Sequence, residues 1–293
     1  MCYYLICNIM RTREEVCFKL KISTVTTDSF YYQYSKTDNT PENLNTKHCH
    51  DRYEILYIAD GEGKCIVEGV EYPIKPRTLM IFPPLSYHCA QINANIEYER
   101  YVIYFDKKSI LGCAEPAFKQ IEEISEVTGA FYTPEVISDQ IVSVLERFAG
   151  ISHYADAERE IFTKLYMAEL LLLLSAKRSD FYLRDDCELG ARVIRYLNQN
   201  MDRDISLDRL AKRFFVSKYY LCRAFKKHNG ISIHGYINHK RVMYAKQLIE
   251  AGETASGAAY RVGFGDYSAF YRAYVKLIGR APTQHEEKLS DGI

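Results

Sequence analysis

Apolar and polar positions change rhythm along the chain. From about Lys19 to Asp106, runs rich in Tyr, Ile and Val alternate with turn signals such as Asp60-Gly61-Glu62-Gly63, Glu68-Gly69 and Pro83-Pro84. Branched and aromatic residues between such turns predict strand after strand, hence a sandwich or jelly-roll barrel. From Glu115 to Lys177 the period becomes helical. Phe118, Ile121, Ile124 and Val127 recur every third residue. Val136, Ile137, Ile141, Val144, Leu145 and Phe148 follow the three-and-four rule, as do Ile161, Leu165, Ala168, Leu172 and Ala176. Gly129 to Pro134 and Gly150 to Ala155 interrupt these helices, and Leu170 to Leu174 is apolar without a break. That is more apolar surface than one core face uses. Ser179 to Cys187, dense in charge, reads as a linker.

Beyond the linker the chain says nearly the same thing twice. Arg223-Ala224-Phe225-Lys226-Lys227-His228-Asn229-Gly230 returns as Arg272-Ala273-Tyr274-Val275-Lys276-Leu277-Ile278-Gly279. Each copy follows a short helical run (Leu207 to Arg213; Ala255 to Arg261) and a three-residue turn (Phe214-Phe215-Val216; Val262-Gly263-Phe264). Ser217 opens the second helix of one copy and Gly265-Asp266 that of the other, all favoured N-caps. Short helix, tight turn and polar-capped helix outline a helix-turn-helix, whose second helix enters the major groove of DNA. Two copies are too few to close a helical solenoid. Leu221 with Phe225, and Phe270 with Tyr274, form inward stripes. Lys218, Tyr219, Cys222 and Arg223 then face outward in the first unit, and Tyr267, Ser268 and Arg272 in the second. Ser217 and Asp266 stand at the helix starts, where Ser217 and Lys218 are expected to meet phosphate. Ile233 to Ala251 reads as one spacer helix with Lys240, Arg241 and Lys246 outward.

Net charge is zero until the chain is divided. Residues 1–187 carry 20 Lys+Arg against 28 Asp+Glu, residues 188–285 carry 17 against 7, and residues 286–293 carry 1 against 3. A basic module joined to an acidic one suits a polyanion-binding domain attached to something that does not bind nucleic acid. The 9 Cys form no C-x-x-C pair, which argues against a disulfide framework or a cysteine zinc site and favours a reducing cytosol. The opening Met1 to Met10 lacks the basic region and cleavage site of a signal peptide, and no stretch approaches a membrane span. A soluble, cytoplasmic, nucleoid-associated protein is expected.

Residues 188 to 285 resemble the DNA-binding domain of the AraC/XylS family of bacterial transcription regulators. The resemblance rests on Leu210-Ala211, Val216-Ser217, Leu221, Phe225-Lys226-Lys227, Gly230, Tyr236-Ile237, Arg241, Ala245 and Leu248-Ile249, then Val262-Gly263-Phe264, Asp266, Ser268, Phe270, Gly279 and Pro282. Ala255, Ala258, Gly257, Val275 and Phe215 depart from the family's usual residues, which implies a softer second unit.

In the strand-rich half, His48-x-His50-x3-Glu54, with Gly61, Gly69, Pro76 and His88 beyond, resembles the cupin barrel. The metal-binding members of that fold use two His, a Glu and a later His at this spacing. Even separations place 48, 50 and 54 on one face of a strand. The donors suit Zn, Fe, Mn or Ni. AraC-like sensory domains, however, use this barrel for a small organic effector. The expectation is therefore an effector, a sugar among the candidates, near His48, His50, Glu54, Tyr87 and His88, with no metal; a bound divalent metal and a barrel packed shut are the alternatives. Tyr53 and Tyr57 are further aromatics beside the motif.

The fold expected is α+β in two domains. A cupin-like effector-binding β-barrel (1–114) with a helical dimerisation or capping segment (115–178) is joined by a linker (179–187) to an all-α domain of two helix-turn-helix units (188–285). The function expected is a sequence-specific, effector-controlled transcription regulator, not an enzyme. Its expected partners are double-stranded DNA, a second copy of the chain and RNA polymerase, with no membrane. The alternative is a metal-dependent cupin enzyme with a DNA-binding appendage. No nucleophile–base signature or phosphate-binding Gly loop supports that alternative.

Overall fold

A computed structural model describes residues 21–27, 29–38, 48–124, 129–177, 189–201 and 205–283. The opening ten residues, Val127, the linker at 179–187 and the acidic tail at 286–293 lie outside the described residues. The chain divides into two compact units, one running from Glu14 to Asp185 and the other including Asp186 to Ile293.

The first unit contains β1 (Lys21–Thr27), β2 (Phe30–Thr37), β3 (Tyr53–Asp60), β4 (Gly63–Val67), β5 (Val70–Ile74), β6 (Thr78–Phe82), β7 (His88–Ile92), β8 (Tyr98–Phe105) and β9 (Ala130–Tyr132). Its helices are α1 (Glu115–Ile124), α2 (Asp139–Gly150) and α3 (Asp156–Ser175). A six-stranded sheet, in the order β1-β2-β8-β3-β6-β9, faces a three-stranded one, β5-β4-β7, and every pairing is antiparallel.

Strand β3 shows why this half reads as near-continuous apolar runs rather than clean alternation. Its odd positions Tyr53, Ile55 and Tyr57 join a core with Phe118, Ile141, Leu145, Phe148, Leu170 and Leu174 from the helices. Its even positions Leu56 and Ile58 join Cys65, Val67, Tyr72 and Ile74 from the opposite sheet. A strand covered on both faces reads as a near-continuous apolar run, and Glu54 on the even face is its buried exception. Tyr53 and Tyr57 are thereby core residues on the helix side. The Tyr53 ring stacks on Phe105 at 5.3 Å, and its hydroxyl donates to Glu122.

The sequence reading treats 129–134 as an interruption between helices. The structure instead adds β9 there, paired with β6 through Leu79↔Tyr132, Met80↔Phe131 and Ile81↔Ala130. Three residues are too few to show a period of two, so pattern alone does not reveal the strand. Gly129 makes the approach possible: its φ is +81°, and a Cβ there would lie 2.3 Å from the Ile81 carbonyl oxygen.

Among its described residues the second unit is all helix and connecting turns: α4 (Leu189–Gln199), α5 (Leu207–Arg213), α6 (Lys218–Asn229), α7 (Ile233–Glu250), α8 (Ala255–Arg261) and α9 (Tyr267–Ile278). Each helix-turn-helix starts on capped ends. Ser206 and Ser217 accept from the N–H of Arg209 and Tyr220, and Thr254 and Asp266 from those of Gly257 and Ala269. Gly230 and Gly279 close α6 and α9 in the left-handed conformation. Leu221 and Phe225 are fully buried in the first unit. Phe270 and Tyr274 pack with Ala258, Ala259, Val262 and Phe264 in the second.

The spacer α7 differs from its sequence reading on its polar side. Lys240 is buried, with its ammonium 5.3 Å from the Tyr236 ring centre. Arg241 donates from Nη1 to the Gly263 carbonyl at 2.7 Å, and Lys246 Nζ lies 3.2 Å from Glu250. A helix that packs against both units keeps little free circumference, so the long cationic side chains lie along neighbours instead of projecting to solvent.

Corresponding positions of the two turns solve the same backbone problem with different residues. Gly263 has φ +91°, whereas Phe215 has φ +56° and is 94% exposed. A left-handed L-residue costs about 1–2 kcal/mol, offset in part by the extra unfolded-state entropy of glycine. Phe215→Gly is expected to stabilise the helical unit by about 0.5–1 kcal/mol, because the exposed ring contributes no packing. Thermal melts of the two proteins check this; a lower midpoint for Phe215→Gly refutes it.

Candidate functional site

The barrel motif comes together, though not as a single strand face. His48 forms an isolated bridge with His88: its N–H donates to the His88 carbonyl at 3.0 Å, and its carbonyl accepts from the His88 N–H at 2.9 Å. β3 begins only at Tyr53, so His48 and His50 precede the strand that holds Glu54. The His50 carbonyl accepts from Leu85 N–H at 2.7 Å, which ties this approach to the loop before β7. The even-spacing argument therefore names residues that do converge, but on a backbone that is not one strand. Convergence comes from pairing between two remote segments.

Nδ1 of His50 lies 2.8 Å from the Arg52 carbonyl, and Nδ1 of His88 lies 2.9 Å from that of Ser86. The two Nε2 atoms lie 2.7 and 3.0 Å from the same oxygen, Glu54 Oε2. Donor atoms of His48, His50, Glu54 and His88 all fall within 4.8 Å of one another, a set with the chemistry of a transition-metal site. Phe82 stacks on His88 at 4.1 Å and Tyr104 meets His50 edge-on at 4.8 Å, which fixes both rings. Tyr87 is buried next to His88. Its N–H donates to the Glu68 carboxylate at 2.9 Å, and its carbonyl accepts from Glu68 N–H at 2.8 Å.

Sequence reasoning missed Arg100. On β8, Tyr98 and Val102 belong to the core between the sheets and Tyr104 packs against it, so Arg100 shares that inward face. Its Nε donates to Ser35 Oγ at 3.2 Å, and its guanidinium carbon lies 5.7 Å from the Tyr98 ring centre. Among the described residues no carboxylate pairs with it. The available signal was the alternation itself: one arginine among apolar and aromatic positions of a single face.

The helical unit presents the second candidate surface. Ser217, Lys218, Tyr219 and Arg223 of α6 are exposed and Cys222 is half-buried. Asp266, Ser268 and Arg272 are exposed at the matching place on α9. Tyr267 is the exception on the expected outer face. It is half-buried against Phe270, with ring centres 5.7 Å apart. Lys218 Nζ lies 2.7 Å from Asp208, a surface pair that a phosphate can replace.

Comparison with known proteins bears on both surfaces. The AraC-like ligand binding domain profile matches residues 31–159 and a helix-turn-helix domain profile matches residues 210–288. The HTH-type transcriptional regulator YbfI of Bacillus subtilis is 27% identical over 231 residues, covering 75% of this chain and 79% of that protein. The HTH-type transcriptional activator RhaS of Salmonella agona is 24% identical over 256 residues, covering 83% of this chain and 87% of RhaS. Among solved structures, ToxT of Vibrio cholerae is 14% identical over 90% of this chain and 95% of its own, with a TM-score of 0.37. Two ordered profiles, a sensory one and then a DNA-binding one, along with matches over most of the relatives' length, place the chain: it belongs to the AraC/XylS family, as a DNA-binding transcription regulator with an N-terminal ligand-binding domain.

Proposed function

We propose that this regulator reads a bipartite DNA site through α6 and α9, under the control of a small organic effector held between the two sheets. The effector lies against His48, His50, Glu54, Tyr87 and His88, with Arg100 offering a cation to an acidic group. A homodimer forms through the helices of the sensory unit, and contact with RNA polymerase raises transcription in the cytoplasm at the nucleoid. The activator names carried by RhaS relatives support that direction. The effector acts by binding two arrangements of the protein unequally, since equal affinity shifts nothing.

The observation that carries the reading is the paired set of capped, solvent-facing recognition helices in a segment with 17 basic residues against 7 acidic. The spacer α7 has 18 residues, about 27 Å at 1.5 Å each, against roughly 34 Å between successive major-groove faces. That length suits two helices on one side of the duplex.

Arg223 is the proposed base reader of the first unit. Its fork can bridge O6 and N7 of a guanine, the commonest specific contact. Arg223→Ala is expected to cost about 1–3 kcal/mol on the preferred site and to relax preference at one base pair. Lys218→Ala is expected to weaken all sequences alike and lower the salt slope by about one unit. Arg272→Ala follows Arg223→Ala with a smaller loss. Site selection from random duplexes with each protein is the test. An unchanged motif with evenly reduced affinity shows that neither arginine reads a base.

A further inference from the structure

Proton positions constrain what the His48, His50, Glu54, His88 cluster holds. Backbone carbonyls only accept, so Nδ1 of His50 and of His88 each carry the proton donated to Arg52 and Ser86, at 2.8 and 2.9 Å. Neutral rings then present lone pairs at both Nε2 atoms. Those atoms nevertheless converge on one carboxylate oxygen, at 2.7 and 3.0 Å. Lone pairs facing each other at such distances repel unless a positive species sits among them.

His50, Glu54 and His88 are all buried, with the two ring centres 5.1 Å apart. One divalent cation resolves that conflict and adds the His48 ring, whose centre lies 4.7 Å from that of His88. Donors about 2.1 Å from one ion lie at most about 4.2 Å apart, so a set within 4.8 Å closes by small shifts. Nδ1 bonds to carbonyls and the Phe82 ring on His88 supply the outer partners that orient metal-ligating histidines.

We propose that His48, His50, Glu54 and His88 bind one divalent transition-metal ion of the class that imidazole and carboxylate share, zinc, iron, nickel, cobalt or manganese. The ion clamps the segment before β3 to β3 and to β7, the walls of the chamber assigned to the effector. The site rests on that reading for its location only. Metal binding is measured without any effector, so either reading can fail while the other stands.

The test uses the full chain, free of any histidine tag, stripped with chelator and then offered Zn²⁺, Ni²⁺, Co²⁺, Mn²⁺ or anaerobic Fe²⁺ singly. Elemental analysis after desalting is expected to give one equivalent per chain for at least one of them, with a raised melting temperature. The double variant His50→Ala/His88→Ala is expected to bind that ion at least about 100-fold more weakly. With 9 Cys in the chain, thiolate binding must be separated. X-ray absorption of the loaded wild type is expected to show imidazole and oxygen neighbours without sulfur, and this readout stands even if the double variant does not fold. No stoichiometric metal from the whole series, a sulfur-ligated ion, or a folded double variant that binds as well as the wild type overturns the proposal.

Discussion

Residues 188–285 produced alone are expected to lose about 10³- to 10⁵-fold in DNA affinity between roughly 50 and 200 mM salt. The prediction follows from where the cations stand, not only from their number. Lys212, Arg213, Lys218, Arg223, Lys226 and Lys227 are exposed around α5 and α6. Arg261, Arg272 and Lys276 are exposed around α8 and α9, with Arg261 held 3.1 Å from Glu253. Lys240, Arg241 and Lys246 are engaged within the unit and release few counterions. If most of the exposed set meets phosphate, the slope of log affinity against log salt lies near −0.9 per contact, for six or more contacts. Fluorescence anisotropy across the salt range measures it. A slope near zero refutes a phosphate-dominated interface. A second-unit set half the size of the first also predicts that neutralising Lys226 and Lys227 flattens the slope more than neutralising Lys276.

The helix-turn-helix units were readable in the sequence because their signals are local. Leu207–Arg213 and Ala255–Arg261 are the helices that spacing and caps indicated, and Ser217 and Asp266 do cap α6 and α9. The barrel was readable as a class, since turn residues punctuate β-rich runs whatever the pairing. Its particulars were not. β9 depends on Gly129 meeting the Ile81 carbonyl, and the fate of Lys240 depends on what packs around α7; both are contacts between segments distant in sequence or face. The His48 to His88 donors were found by motif, but their tautomers are set by the carbonyls of Arg52 and Ser86, which no spacing rule encodes. Those tautomers turn the expectation of a metal-free pocket into the proposal of a cation. Arg100 was missed for a related reason: it shares the inward face of β8 with Tyr98 and Val102, a placement that no motif marks.

The unbroken Leu170 to Leu174 run resolves into two faces, and the outer one carries the remaining prediction. Leu170, Leu171 and Leu174 are fully buried with Met167 in the core under the sheet. Ile161, Leu165 and Leu172 stay 58%, 47% and 50% exposed on the other side of α3. With Ala168 buried between them, positions 161, 165, 168 and 172 follow the four-three-four spacing of a coiled-coil seam. A second copy of the same helix is the partner that such a stripe fits, and two-fold pairing presents two DNA-binding units to two half-sites. Leu165→Glu/Leu172→Glu is therefore expected to convert a dimer to a monomer in light scattering at micromolar concentration. Both side chains are exposed, so secondary structure by circular dichroism is expected to be retained. Linked binding exceeds single binding by about 10²- to 10⁴-fold, so affinity for a two-half-site operator is expected to fall by that order. Affinity for an isolated half-site is expected to stay within about threefold, which separates lost linkage from a damaged DNA-binding unit. A wild-type protein that is monomeric with and without DNA, or a folded double variant that still dimerises, rules out α3 as the seam.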